Sequence, residues 1–96
     1  MIRHICMFTI KDENKEYNIN EFLNRALSLK QLSVVKNLKV VRNASGAPDN
    51  NYDVSLIIDF DSLEDLEKYQ ISDIHVDFGK FVKSVKTNRA CIDYEF

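Results

Sequence analysis

Hydrophobic positions along this chain fall into two rhythms. Residues 2–10 alternate, with Ile2, His4, Cys6, Phe8 and Ile10 on one side and Arg3, Ile5, Met7 and Thr9 on the other, the period of a strand. A charged stretch from Lys11 to Tyr17 reads as a loop. Beyond it Ile19, Phe22, Leu23, Ala26 and Leu27 recur at helical spacing, and Asn18 with Glu21 resembles a capping pair at the helix start. Lys36 to Asn43 predicts a second strand. The polar run from Asn43 to Asn51, holding Gly46 and Pro48, is the strongest turn signal in the chain. Tyr52, Val54, Leu56, Ile58 and Phe60 then share one face of a third strand. Ser62 with Asp65 predicts the cap of a second helix carrying Leu63, Leu66 and Tyr69 inward. Ser72-Asp73 predicts a further short helix with Ile74, Phe78, Phe81 and Val82 as its stripe. Arg89 to Phe96 alternates once more, Ala90, Ile92, Tyr94 and Phe96 against Arg89, Cys91, Asp93 and Glu95.

The resulting order, βαββαβ with an extra helical turn before the last strand, predicts an α+β fold: a ferredoxin-like antiparallel sheet with its helices on one face. Those helices are expected to cover Phe8, Val40, Leu56, Ile58 and Ile92. Alternation puts Ile5, Met7, Val41 and Ile57 on the other face, where nothing in the chain covers them. Leaving such side chains in water forgoes ~1.5–3 kcal/mol each. Apolar patches of this kind mark interfaces, and a two-fold axis is the commonest way to close one. The expectation is a homodimer joined through its sheet faces, a dimeric α+β barrel.

Composition narrows the function. Ninety-six residues predict one domain, 1–96. A core of that size hides only about 60–70% of the unfolded surface, so burial against a second copy adds materially. The formal charge of -2 is spread with both signs interspersed, as in Lys11-Asp12-Glu13, which argues against a nucleic-acid partner. No apolar run approaches the roughly 20 residues that span a bilayer, and Met1 to Cys6 lacks the features of a signal peptide. With no membrane partner expected, Cys6 and Cys91 read as buried reduced thiols of a cytoplasmic protein, a disulfide staying open if the first and last strands are neighbours. Two histidines and two cysteines lack the close spacings of a zinc site, and Gly46 and Gly79 stand alone instead of forming a phosphate loop. No metal or cofactor is expected. Neither cysteine has a nucleophile's setting on this reading, and Asp59, Asp61, Glu64, Asp65 and Glu67 read as a solvated helix start.

Several segments, in order, resemble the stress-responsive A/B barrel domain (Dabb) family: Met1-Ile2-Arg3-His4-Ile5, Tyr52-Asp53-Val54, Asp59-Phe60-Asp61-Ser62-Leu63-Glu64, Tyr69 followed by His75-Val76-Asp77-Phe78-Gly79, then Arg89-Ala90 and Asp93-Tyr94. The resemblance spans essentially the whole chain. It implies a ferredoxin-like unit that dimerises through its sheets. Members include plant stress-related proteins and bacterial proteins without an assigned activity. One plant member is a cofactor-free polyketide cyclase closing a ring by aldol chemistry, and its catalytic Tyr and His correspond to Tyr69 and His75, its N-terminal His to His4. This chain differs in having Ser72-Asp73 where many members have His-Pro, and Val54 where the cyclase has a histidine.

His4 belongs to the strand face assigned to the helices, while Tyr69 ends one helix and His75 opens the next. A pocket between sheet and helices, walled by Phe8, Leu27, Phe78 and Phe81, would be apolar with a few polar groups, as small-molecule sites are. There His75 is the candidate base, Tyr69 the candidate donor to a developing enolate oxygen, and His4 an orienting group. Three readings follow: a dimer binding a small apolar or aromatic metabolite, a cofactor-free cyclase or lyase, and a structural stress-response dimer without a ligand.

Overall fold

The computed structural model describes residues 1–96. Strand β1 (Ile2–Ile10) is followed by helix α1 (Lys15–Ala26), a 3-10 turn (Leu27–Gln31), β2 (Asn37–Arg42), β3 (Val54–Phe60), α2 (Leu63–Ile71), α3 (Asp73–Val85) and β4 (Lys86–Glu95). The four strands form one antiparallel sheet in the order β2-β3-β1-β4, the ferredoxin-like arrangement. None of the helices is long and apolar enough to cross a membrane.

Strict alternation in β1 divides the sheet. Its even residues are buried beneath the helices and its odd ones are half-covered. The ladder carries that division across the sheet: Cys6 pairs with Leu56, which pairs with Val40, all on the helix side. Ile5 pairs with Ile57, which pairs with Lys39, on the open side. Under the helices, Phe22 packs between Phe8 and Phe78 at centroid distances of 5.5 and 5.3 Å. Ile58, Phe60 and Leu29 are fully enclosed beside them.

Several expectations are corrected. Helix α1 begins a turn early, at Lys15, because Asn14 takes a left-handed conformation (φ 53) that lets the backbone enter the helix there. Asn18 is therefore inside the helix, its amide donating to the Glu13 carbonyl instead of capping. The short helix after Ser72 runs for 13 residues and leads directly into β4 at Lys86. Leu63 and Leu27 point into solvent. Asp59 is not part of a solvated helix start: it is buried in β3, where its carboxylate accepts from Arg3 Nε and Nη2 at 2.8 and 3.0 Å. That guanidinium holds the Asp59 carboxyl below its ordinary range.

The phase of β4 is the largest correction. Ile92 pairs with Ile5 and so lies on the open face, not under the helices; Arg89, Cys91 and Asp93 take the helix side. The open face thus gains Ala90, Ile92 and Tyr94 beside Ile5, Met7, Val41 and Ile57. Cys6 and Cys91 stand directly opposite each other and are joined by a disulfide, so the expected pair of reduced thiols is replaced by a cross-strand bridge.

Candidate functional site

A cavity of about 250 Å³ opens between the sheet and the α2–α3 pair. It has the volume of about eight water molecules at ~30 Å³ each, the size of a compact organic molecule. Its apolar wall comes from Phe8, Leu56, Phe78 and Val82, and its polar groups from His4, Tyr69, His75, Lys86 and Arg89. Of the residues expected from the sequence, His4, Tyr69, His75, Phe8 and Phe78 meet here. Leu27 and Phe81 do not. Phe81 lies on the outer side of α3, where the Arg25 guanidinium sits 4.4 Å from its ring centroid.

The break between α2 and α3 sets the two main polar groups. Ser72 closes one helix and opens the other, its hydroxyl donating to the Tyr69 carbonyl at 2.7 Å and accepting from the His75 backbone N–H at 3.2 Å. The helix breaks at that point, and the Tyr69 and His75 rings come together with centroids 4.6 Å apart. Tyr69 is almost wholly enclosed, with Phe60 against it at 5.1 Å. Burial pushes its phenol well above the ordinary value, with no charge or hydrogen bond acting on it. The hydroxyl therefore keeps its proton at neutral pH and is available as a donor.

His75 is fixed in one neutral tautomer. Its Nδ1 lies 2.9 Å from the Gln70 carbonyl, which can only accept, so Nδ1 carries the proton and Nε2 has a free lone pair. Desolvation holds its pKa below the ordinary imidazole value, against the upward pull of the Gln70 bond and helped by the nearby His4 and Arg89. At neutral pH the cavity thus contains an unprotonated base and a protonated phenol side by side.

His4 is placed differently from the expectation that it orients Tyr69 or His75. Its Nδ1 pairs with the carboxylate of Asp93, its register partner on β4, and its Nε2 lies 3.3 Å from Cys6 Sγ. The ring meets Tyr69 edge-on at 6.0 Å. Cys6, Gly79 and Arg89 line the cavity without having been assigned to it from sequence, and Asp93 stands behind His4. The phase expected for β4 puts Arg89 and Asp93 on the open sheet face, opposite to the observed register. Gly79 looked like an isolated helical glycine, yet a Cβ added there would meet nothing within 4 Å. No three His, Cys, Asp or Glu side chains converge in a way that could hold a metal ion.

Comparison with known proteins adds a family and a fold. The sequence profile of the Stress Responsive A/B Barrel Domain family matches residues 2–96. No curated protein sequence matches significantly. Among solved structures, a dimeric protein of unknown function with a ferredoxin-like fold from Bacteroides fragilis is 31% identical, with a TM-score of 0.86 over 99% of this chain and 95% of that one. A Dabb family protein from Mesorhizobium loti is 24% identical, with a TM-score of 0.82 over 99% and 95% of the two chains. The hydroxynitrile lyase of Passiflora edulis shares the fold at 16% identity, with a TM-score of 0.83 over 97% and 90%.

Proposed function

The chain belongs to the Stress Responsive A/B Barrel Domain family, and we propose that it works as a homodimer in which each protomer binds a small apolar or aromatic metabolite between sheet and helices. The observation that carries this reading is the convergence of Tyr69 and His75 on an apolar cavity of about 250 Å³. Apolar walls with a few fixed polar groups are the usual make-up of a small-molecule site. A ring with one carbonyl or hydroxyl oxygen matches it: the ring contacts Phe8, Phe78 and Val82, and the oxygen accepts from the Tyr69 hydroxyl. Dimerisation is supported by the apolar open face of the sheet and by the dimeric relative from Bacteroides fragilis.

The test uses Gly79, which lines the cavity from α3 with open space where a side chain would stand. Gly79→Leu should fill the cavity while keeping the fold, since replacing a helical glycine removes a backbone entropy cost of ~0.5–1 kcal/mol. Nuclear magnetic resonance titration with acetophenone and 4-hydroxyacetophenone should show saturable shifts around Tyr69 and His75 in the unaltered protein, and none in the variant. Equal shifts in both proteins, or none in either, would overturn the binding reading.

Catalysis is the second reading, favoured by the Gln70 bond that leaves His75 Nε2 free. Nε2 takes the proton alpha to a carbonyl, the electrons of that C–H bond move to form the enolate, and the Tyr69 hydroxyl donates to its oxygen. Hydrogen–deuterium exchange at the alpha carbon of a bound ketone reads this step directly. His75→Ala should abolish the protein-dependent exchange, and Tyr69→Phe should slow it about 10²–10³-fold. Exchange unchanged by His75→Ala would exclude the assigned base.

A further inference from the structure

The two sulfurs of the disulfide occupy unlike places. Cys6 is buried and lines the cavity, whereas Cys91 is exposed on β4, at the edge of the sheet. The surroundings of Cys6 Sγ are built as for a reactive thiol. His4 Nε2 lies 3.3 Å away, its other nitrogen is held by the Asp93 carboxylate, and Arg89 Nη2 lies 3.6 Å from the sulfur. A sulfur, an imidazole touching it and a carboxylate orienting that imidazole form the general pattern of an activated nucleophile. We propose that Cys6 and Cys91 form a reversible redox couple that exchanges with small thiols, and that reduction converts Cys6 into an activated thiolate facing the cavity.

The exchange begins at the accessible sulfur. The thiolate of a small thiol attacks Cys91 Sγ, a new sulfur–sulfur bond joins the two, and the bond to Cys6 breaks with its electron pair leaving on Cys6 Sγ. A second molecule of the thiol attacks the small-molecule sulfur of that mixed disulfide. It releases the oxidised dimer of the thiol and leaves Cys91 as a thiolate, which takes a proton from solvent. Two electrons enter the protein and two small thiols become one disulfide. A good leaving thiolate speeds the first step, and Cys6 is the sulfur placed to be one.

Every element around Cys6 bears on its charge. From β1 comes His4; from β4 come Arg89, Lys86 and, behind His4, Asp93; from α2 comes the Tyr69 hydroxyl; from α3 comes His75; β3 contributes the apolar Leu56 and a Ser55 hydroxyl that donates to the Cys6 backbone carbonyl. The guanidinium, and the His4 imidazole once it has taken the thiol proton, stabilise the thiolate, while Asp93 stabilises that imidazolium. Thiols in such settings titrate well below the ordinary value of about 8.5. Burial acts the other way, so the experiment reads the balance.

Intact mass under non-reducing conditions, before and after glutathione treatment, should show the gain of two hydrogens on reduction and its reversal in oxidised glutathione. The Cys91→Ser variant then isolates Cys6, whose thiolate ultraviolet absorbance should rise with a midpoint below about 8.5. Asp93→Asn and Arg89→Gln, each in that background, should move the midpoint up by about one unit. Brief iodoacetamide labelling of the reduced two-cysteine protein checks the same order, with Cys6 labelled at lower pH than Cys91. Two free thiols that never pair in oxidised glutathione would overturn the couple. A Cys6 midpoint at or above the ordinary value, or one that neither variant moves, would overturn its activation. All these readouts are made without a cavity ligand, so their failure leaves the binding reading untouched, and the reverse holds too.

Discussion

Ile92 offers the sharpest test of the dimer. It lies on the open face of the edge strand β4, opposite Ile5 of the central β1, and keeps 59% of its surface exposed in the single chain. Full burial of an isoleucine is worth ~1.5–3 kcal/mol, so covering what remains exposed contributes ~1–2 kcal/mol per protomer. A two-fold interface uses the same residue on both sides, which doubles the effect to ~2–3.5 kcal/mol per dimer. Ile92→Ala keeps one carbon of the side chain, so the dissociation constant should rise about ten- to a hundredfold at ~1.4 kcal/mol per decade. Leu63→Ala is the control: Leu63 is as exposed as Ile92 but starts α2, away from the open face, and its removal should leave association unchanged. Sedimentation velocity across a concentration series reads both constants, with circular dichroism confirming that each variant is folded. A protein that is monomeric at all concentrations refutes the argument, as does a dimer that Ile92→Ala leaves equally tight.

Two further outcomes follow from the α2–α3 junction. Desolvation depresses the His75 pKa in the folded protein, so below the ordinary imidazole value of about 6.5 the unfolded chain takes up the proton first. Its contribution to stability is therefore complete above that pH and declines as pH falls towards the folded value; urea midpoints of His75→Gln should lack this part of the decline, and parallel profiles would contradict it. Ser72→Ala removes an N-cap that also ties α3 to the Tyr69 carbonyl, and should cost ~0.5–2 kcal/mol in urea unfolding. Ser72→Asn should recover part of that loss, and an unchanged midpoint in the alanine variant would count against the cap.

What could be read from the sequence was period; what could not was phase. The nine-residue alternation of β1 names its buried face outright, because every even position is apolar or aromatic-like and the strand is central. Tyr69 and His75 were legible from the family resemblance together with their spacing across the Ser72 cap, where a helix break brings the two rings together. The alternation in β4 is just as clear, yet both of its faces carry residues that suit either side. Only the pairing of Ile92 with Ile5 decides between them, and that register is a long-range fact. With β4 in the other phase, Asp93 and Arg89 fall on the open face, away from His4 and Cys6, and the Cys6–Cys91 pairing stays undecided. Leu27 was misassigned for a local reason, since the helix tightens into a 3-10 turn there and rotates Leu29 inward instead.

That single register joins the two halves of the functional argument. The alternate positions of β4 present Ala90, Ile92 and Tyr94 to the open face and Arg89, Cys91 and Asp93 to the cavity side. A one-residue slip would exchange the sets: it would strip His4 of its carboxylate, separate the cysteines and put charge on the apolar open face of the sheet. The disulfide crosses the β1–β4 ladder at Cys6 and Cys91, in the middle of the pairing that this phase requires. It therefore pins an edge strand whose register the site and the open face both depend on. Reduction frees that pin and supplies the cavity with a thiolate at the same time. Reduction should therefore loosen amide protection along β4 more than along β2, the opposite edge of the same sheet. Equal loosening at both edges would mean that the ladder holds β4 in register without the bridge.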